Sequence, residues 1–287
     1  AAEIILMATA RITGLTIYPV KSMRGIALDH ASLTPLGLEQ DRRFMVVRKE
    51  GRFVTQRDVP RLALIHTRLQ ENGIELSMQE RGTVLVPFEQ VDGEPIQTAV
   101  WGDECRAVDT GREISEWLTS ALDSPEQLRL VRMATGYVRP QGKPDELGES
   151  THTVFADAAP YLVANEVSLE ALNRELVLRG YDAVPMNRFR PNIVLRGLNA
   201  FEEHRVSEVA AEGYRLRFCH PCQRCVVTTI DQQTAVKHTE RQPYKTLRDI
   251  NPMPGNERAP AFGHYAVLES GEGQTISVGE TVSLSLR

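Results

Sequence analysis

In the first 110 residues, hydrophobic positions recur mostly with the two-residue period of strands. "RITGLTIYPV" (11–20) alternates imperfectly, and "RRFMVVRKEGRFVTQRD" (42–58) carries two apolar runs around Glu50-Gly51, which predicts a hairpin. "LALIHTRLQENGIELSMQ" (62–79) repeats the device around Asn72-Gly73, a strong turn signal. Further short strands are expected at "GTVLVPF" (82–88) and "PIQTAVW" (95–101). The period then changes. In "GREISEWLTSALDS" (111–124), Ile114, Trp117, Leu118, Ala121 and Leu122 fall on one helical face.

After "QLRLVRM", the stretch 134–160 is polar, with Gly and Pro, and predicts a long loop and a domain boundary nearby. Beyond it, Ser168 is expected to cap a helix over "LEALNREL", where Leu169, Leu172 and Leu176 form an apolar stripe. Strands are expected at "RPNIVLRG", "GYRLRF", "CVVTTID", "GHYAVLES", "QTISVG" and "TVSLSL". Many short strands with few helices predict an α+β, mostly β architecture with barrel character, not a doubly wound sheet. The expected division is 8–125 and 126–287.

A chain of 287 residues can bury a substantial core, and 25% charged residues with 41% hydrophobic ones is ordinary for a globular protein. A formal net charge of −5 gives little electrostatic support for nucleic-acid binding. No apolar run reaches the length of a membrane helix, and the start lacks the basic flank of a secretory signal. Met7 is a candidate natural initiator. Four cysteines, three of them clustered, do not resemble a secreted disulfide framework, so a cytoplasmic location is expected.

Those three occupy "FCHPCQRC", as Cys219, Cys222 and Cys225. A zinc site needs four ligands, and His220 is the only obvious addition. An iron–sulfur cluster lacks a fourth nearby cysteine, Cys105 being remote in sequence. A redox pair lacks the βαβ setting, and inert buried thiols are the bland alternative. Arg224, directly before Cys225, favours a thiolate at that position. One soft thiolate suffices where an organic cofactor completes a metal's coordination.

Two basic segments accompany the cysteines. "IYPVKSMRG" places Lys21 and Ser22 at a turn suited to a phosphate, although the Walker A glycines are missing. "MNRFRPNIVLRG" puts Arg188 and Arg190 at a strand entrance with Asn192 opening the strand, and "DRRF" adds Arg42 and Arg43. For each, a solvated surface charge is the plain alternative.

Together, "IYPVKSMRG", "DRRFMVV", "RPNIVLRG", "CQRCVVTTID" and "FGHYAVLESGEGQTISVGETVSL" resemble the MOSC family, named for the C-terminal domain of molybdenum cofactor sulfurase. The resemblance is to the branch with an N-terminal β-barrel domain, which includes mitochondrial amidoxime-reducing and bacterial hydroxylaminopurine-detoxifying members. It implies molybdenum–molybdopterin as cofactor, independence from pyridoxal phosphate, and Cys225 as catalytic residue and metal ligand. It further implies cofactor binding by Lys21, Ser22, Arg43, Asp157, Arg190, Asn192, Gln223 and Arg224. The activity implied is reduction of small N-hydroxylated compounds. Electrons would come from a separate ferredoxin-, flavoprotein- or cytochrome-type protein, with neither nucleic acid nor membrane as partner. A cofactor carrier, or a sulfur carrier using a cysteine persulfide, is the competing class.

Overall fold

The structure, a computed structural model, describes residues 6–89, 93–137, 139–140 and 144–287. Seven strands close into a barrel: Leu6–Ile17, Tyr161–Asn165, Ile193–Arg196, Val206–Ala211, Tyr214–Gln223, Asn256–Ser270 and Thr281–Leu286. Around a closed ring the number of antiparallel neighbours must be even, so seven strands require a parallel pair. That pair is Tyr161–Asn165 with Ile193–Arg196. It is joined by the crossover helix Glu166–Leu178, as a parallel connection demands.

The imperfect alternation of the first strand has a local cause. Ala10, Ile12, Leu15 and Ile17 face the barrel core, and the register slips between Ile12 and Gly14. Before the slip the strand pairs with Thr281–Leu286, and after it with Ile26–Leu28. Leu195, Leu216 and Leu284 complete this core from the other strands.

The N-terminal half holds a four-stranded sheet, ordered Phe44–Arg48, Leu128–Met133, Asp103–Asp109, Pro95–Val100, and a three-stranded meander over 66–87. Val46, Leu76, Leu118 and Leu130 share its core. The expected helix runs from Arg112 to Ala121 and buries Ile114, Leu118 and Ala121. Both hairpins form. In the second, Gln70 pairs with Gly73, so Glu71 and Asn72 make the turn and Gly73 sits in the ladder. A Cβ there would lie 2.3 Å from the Val86 carbonyl oxygen.

Three expectations are corrected. Ser168 does not cap the 166–178 helix; the Asn165 side chain does, accepting from Val167 N at 3.2 Å. Ser168 lies inside the helix, fully buried, where its hydroxyl donates to Glu203 at 2.7 Å. "CVVTTID" is not a strand. Val226–Thr229 is a 3-10 turn, because Thr228 and Thr229 hydroxyls donate to the carbonyls of Cys225 and Val226 and outweigh β-branched propensity. The 134–160 stretch, of which 138 and 141–143 lie outside the described residues, contains a short helix, Pro144–Leu147, and a short strand pair. Buried Arg139 ties it down, bonding Asp103 and the carbonyls of Val154 and Ala156.

Glu203 gives this fold a pH signature. Burial pushes its carboxyl up to about 7, against hydrogen bonds from Ser168 and Asn165 that pull it down. The folded protein thus favours the protonated acid. Its contribution is complete below the unfolded value near 4.5 and declines as pH rises to about 7, by roughly 3 kcal/mol in all. Glu203→Gln should match wild type at pH 4.5 and exceed its stability at pH 7.5, measured by thermal or urea unfolding at both. A difference independent of pH would refute the assignment.

Candidate functional site

Where the barrel meets the N-terminal half, a cavity of about 690 Å³, counting its open mouth, collects residues from distant segments. Lys21 and Ser22 follow the first strand; Asp157 precedes Tyr161–Asn165; Arg190 and Asn192 precede Ile193–Arg196; Arg224 and Cys225 follow Tyr214–Gln223. Asn192 holds three of these segments in place. Its backbone exchanges bonds with Thr16 and Leu162, and its side chain bonds Thr16, Leu162 and Arg42. Asn192 therefore shapes the cavity wall with an amide already engaged.

Five cationic side chains, Lys21, Arg42, Arg57, Arg190 and Arg224, line the cavity against one carboxylate, Asp157. Burial lowers the Lys21 pKa, and Asp157, 2.5 Å from its Nζ, works to keep it charged. For Asp157, burial pushes the carboxyl up, but the Lys21 charge and hydrogen bonds from Lys21 and Trp101 bring it well below the carboxylate range. Tyr18 lies between two guanidiniums, Arg42 at 4.7 Å and Arg190 at 4.2 Å from its ring. Burial lowers Arg190 to about 10.

Two donors here are orphaned. Arg190 Nη2 and Arg224 Nε are buried with no hydrogen-bond partner among the described residues. Ser22, Arg42 and Arg190 also hold left-handed backbones, with φ of 71°, 48° and 55°. Such conformations cost about 1–3 kcal/mol each and persist only where surrounding structure imposes them. Unsatisfied donors, concentrated positive charge and backbone strain together describe a receptor for a polyanion.

The three clustered cysteines part company. Cys219 is half-buried at the barrel wall, and Cys222 is buried, its thiol pushed up by burial. Cys225 alone of the three lines the cavity. Among the described residues no group of three His, Cys, Asp or Glu is placed to share a metal ion. Arg224 reaches Cys225 through its charge, while its hydrogen bonds go elsewhere. Arg224 Nη1 donates to Cys222 Sγ, at 2.8 Å, and its Nη2 donates to the Phe189 carbonyl. The guanidinium on Cys225 is that of Arg57, whose Nη2 lies 2.8 Å from Sγ.

Of the residues expected at the site, Lys21, Ser22, Asp157, Arg190, Asn192, Arg224 and Cys225 converge. Arg43 and Gln223 do not line the cavity. Arg43 faces another cleft with Gln40 and Arg132, while Arg42 turns inward. Gln223 is exposed and accepts from Asn256. Arg57 escaped the sequence reading. It sits in a turn capped by Asp58 and clipped to the barrel side by paired amides of Gln56 and Gln232, and no local motif marks that contact.

Residues 9–125 match the MOSC N-terminal beta barrel domain, and residues 150–283 match the MOSC domain. The mouse mitochondrial amidoxime-reducing component 1 is 32% identical over 286 residues, covering 95% of this chain and 82% of its own. The chain belongs to the MOSC family. The human mitochondrial amidoxime-reducing component 1 is 31% identical, with 98% and 84% covered. The human mitochondrial amidoxime reducing component 2 is 29% identical, with 90% and 79% covered. In this MOSC protein the cavity draws on both matched regions, Lys21, Arg42 and Arg57 from the first and the remaining charged residues from the second. No helix among the described residues is long and apolar enough to cross a membrane.

Proposed function

We propose that this cavity binds molybdenum–molybdopterin with Cys225 as the thiolate ligand. We propose further that the loaded protein reduces N-hydroxylated compounds to their N–H forms with electrons from a separate redox protein. The observation that carries this reading is one accessible sulfur sharing a cavity with five cations, two of which have orphaned donors. The donor set fits the group: a soft sulfur for the metal, guanidiniums and a lysine for phosphate and other pterin-borne acceptors. The names of the relatives, amidoxime-reducing components, support the substrate class.

When bound, the group supplies two-electron redox chemistry that no side chain in the cavity provides. The protein's own residues bind and tune. Arg57 donates to the Cys225 sulfur and holds it facing the cavity. Lys21, Ser22, Arg42, Arg190 and Arg224 grip the anionic part, with Arg42 taking the place that the resemblance gave to Arg43. Asp157 keeps Lys21 charged, and Asn192 holds the wall. The balance is R–NHOH plus two electrons and two protons giving R–NH2 and water. Four free cysteines suit a reducing compartment such as the cytoplasm.

Protein purified from a cofactor-competent host should contain close to one molybdenum per chain and release a fluorescent oxidised pterin. A persulfide mass increment on Cys225 without metal would favour the sulfur-carrier class. Absence of metal, pterin and persulfide would sink both readings.

A further inference from the structure

A second cleft opens beside the cavity on the N-terminal half, with Glu50, Arg52, Phe53, Trp101, Glu104 and Arg106 in its wall. Trp101 joins the two sites. Its Nε1 donates to Asp157 in the first cavity at 2.8 Å. Arg57, which holds Cys225 Sγ, stacks on the indole at 4.7 Å, and Phe53 meets it edge-on at 5.2 Å. The side chain is nevertheless 53% exposed. Exposure alone would mean little on a protein surface. An aromatic plane that is both open and fixed by three contacts is a preorganised platform.

The charges of the two sites differ. The first cavity is strongly positive, whereas the cleft wall sets two glutamates against two arginines and carries no formal net charge. The cavity's cations are taken by the proposed cofactor, and the cleft itself offers an anion no net attraction. A neutral planar molecule needs no such attraction and has an indole to stack on.

Resting on the N-reductase reading and deepening it, we infer that this cleft is the docking subsite for uncharged aromatic N-hydroxylated compounds, stacked on Trp101 with the N–OH directed toward Cys225. Trp101 is then a specificity-determining residue. Aromatic amidoximes and N-hydroxylated heteroaromatic bases are favoured over aliphatic amidoximes, which have little surface to stack. Arg57 relays the platform's position to the sulfur.

The test measures binding apart from turnover. Without an electron donor no reduction occurs, so titration calorimetry of the purified protein with benzamidoxime and with acetamidoxime reports affinity alone. Trp101→Ala should weaken benzamidoxime at least tenfold and acetamidoxime much less, while Trp101→Phe should stay within about threefold of wild type for benzamidoxime. In steady-state assays with a supplied donor, the ratio of kcat/KM for benzamidoxime over acetamidoxime should fall at least tenfold in Trp101→Ala. Equal loss on both compounds would assign Trp101 to support of Asp157 alone and overturn the subsite. Unchanged benzamidoxime affinity in Trp101→Ala would overturn it too. Trp101-dependent binding with no reduction by loaded wild-type protein would keep the subsite and remove the reductase reading.

Discussion

Replacing Cys225 by serine is expected, on the proposed N-reductase reading, to cut N-hydroxyl reduction by at least about 100-fold, beyond the range typical for loss of an outer-sphere partner of a metal site. The expectation follows from ligand chemistry. Serine offers a hard, scarcely ionised oxygen where the site presents a soft sulfur held by Arg57. Cys225 is part-exposed at the start of a 3-10 turn, and the hydroxyl can still accept from Arg57, so folding stability should change by no more than about 0.5 kcal/mol. Rates normalised to bound molybdenum separate chemistry from loading. Cys222→Ser is the control: its sulfur is buried against Arg224 and does not line the cavity, so activity should survive. Full activity per metal in Cys225→Ser would exclude the sulfur as ligand.

Asp41→Ala is expected to destabilise the protein by about 3–5 kcal/mol, the loss seen when one partner of a buried ion pair is removed. The Asp41 carboxylate is 2% exposed, accepts from the Tyr18 backbone N–H at 2.8 Å and lies 2.5 Å from Arg42 Nη1. Removing it strands a largely buried guanidinium and a backbone donor together. Asp41→Asn keeps an acceptor for Tyr18 and should cost less, about 1–3 kcal/mol. Urea unfolding of the two variants measures both values. Equal losses in the two would assign the effect to the charge that both remove and not to the acceptor that the asparagine keeps. Because Arg42 lines the cavity through contacts with Arg190 and Asn192, Asp41→Ala should also weaken cofactor retention.

Much of the fold follows from period alone. Alternating runs mark the strands, the Ile114–Leu122 face marks a helix, and Gly51 marks a turn whose Cβ would strike the Gln97 carbonyl oxygen at 2.1 Å. The misreadings are places where a tertiary bond replaces a local one. Ser168 looks like a cap by position, but its hydroxyl is taken by Glu203, thirty-five residues away in sequence. The β-branched run after Cys225 turns because its threonines bond their own backbone. At the site, residues at strand ends were legible, since the barrel gathers those ends, although Arg188 at one of them turns to Asp231 instead. Arg42 and Arg43 are adjacent and chemically alike, and it is Asp41, Asn192 and the Arg190 carbonyl, distant partners in part, that hold Arg42 inward. Arg57 reaches the sulfur through a contact spanning 168 residues, which no short-range pattern encodes.

The barrel seals between Leu6 and Leu286. During synthesis, the Leu6–Ile17 strand must therefore wait, one edge bare, until Thr281–Leu286 has emerged from the ribosome. On the proposed reading, a cofactor gripped by both Lys21 and Arg224 can be held only after both have emerged.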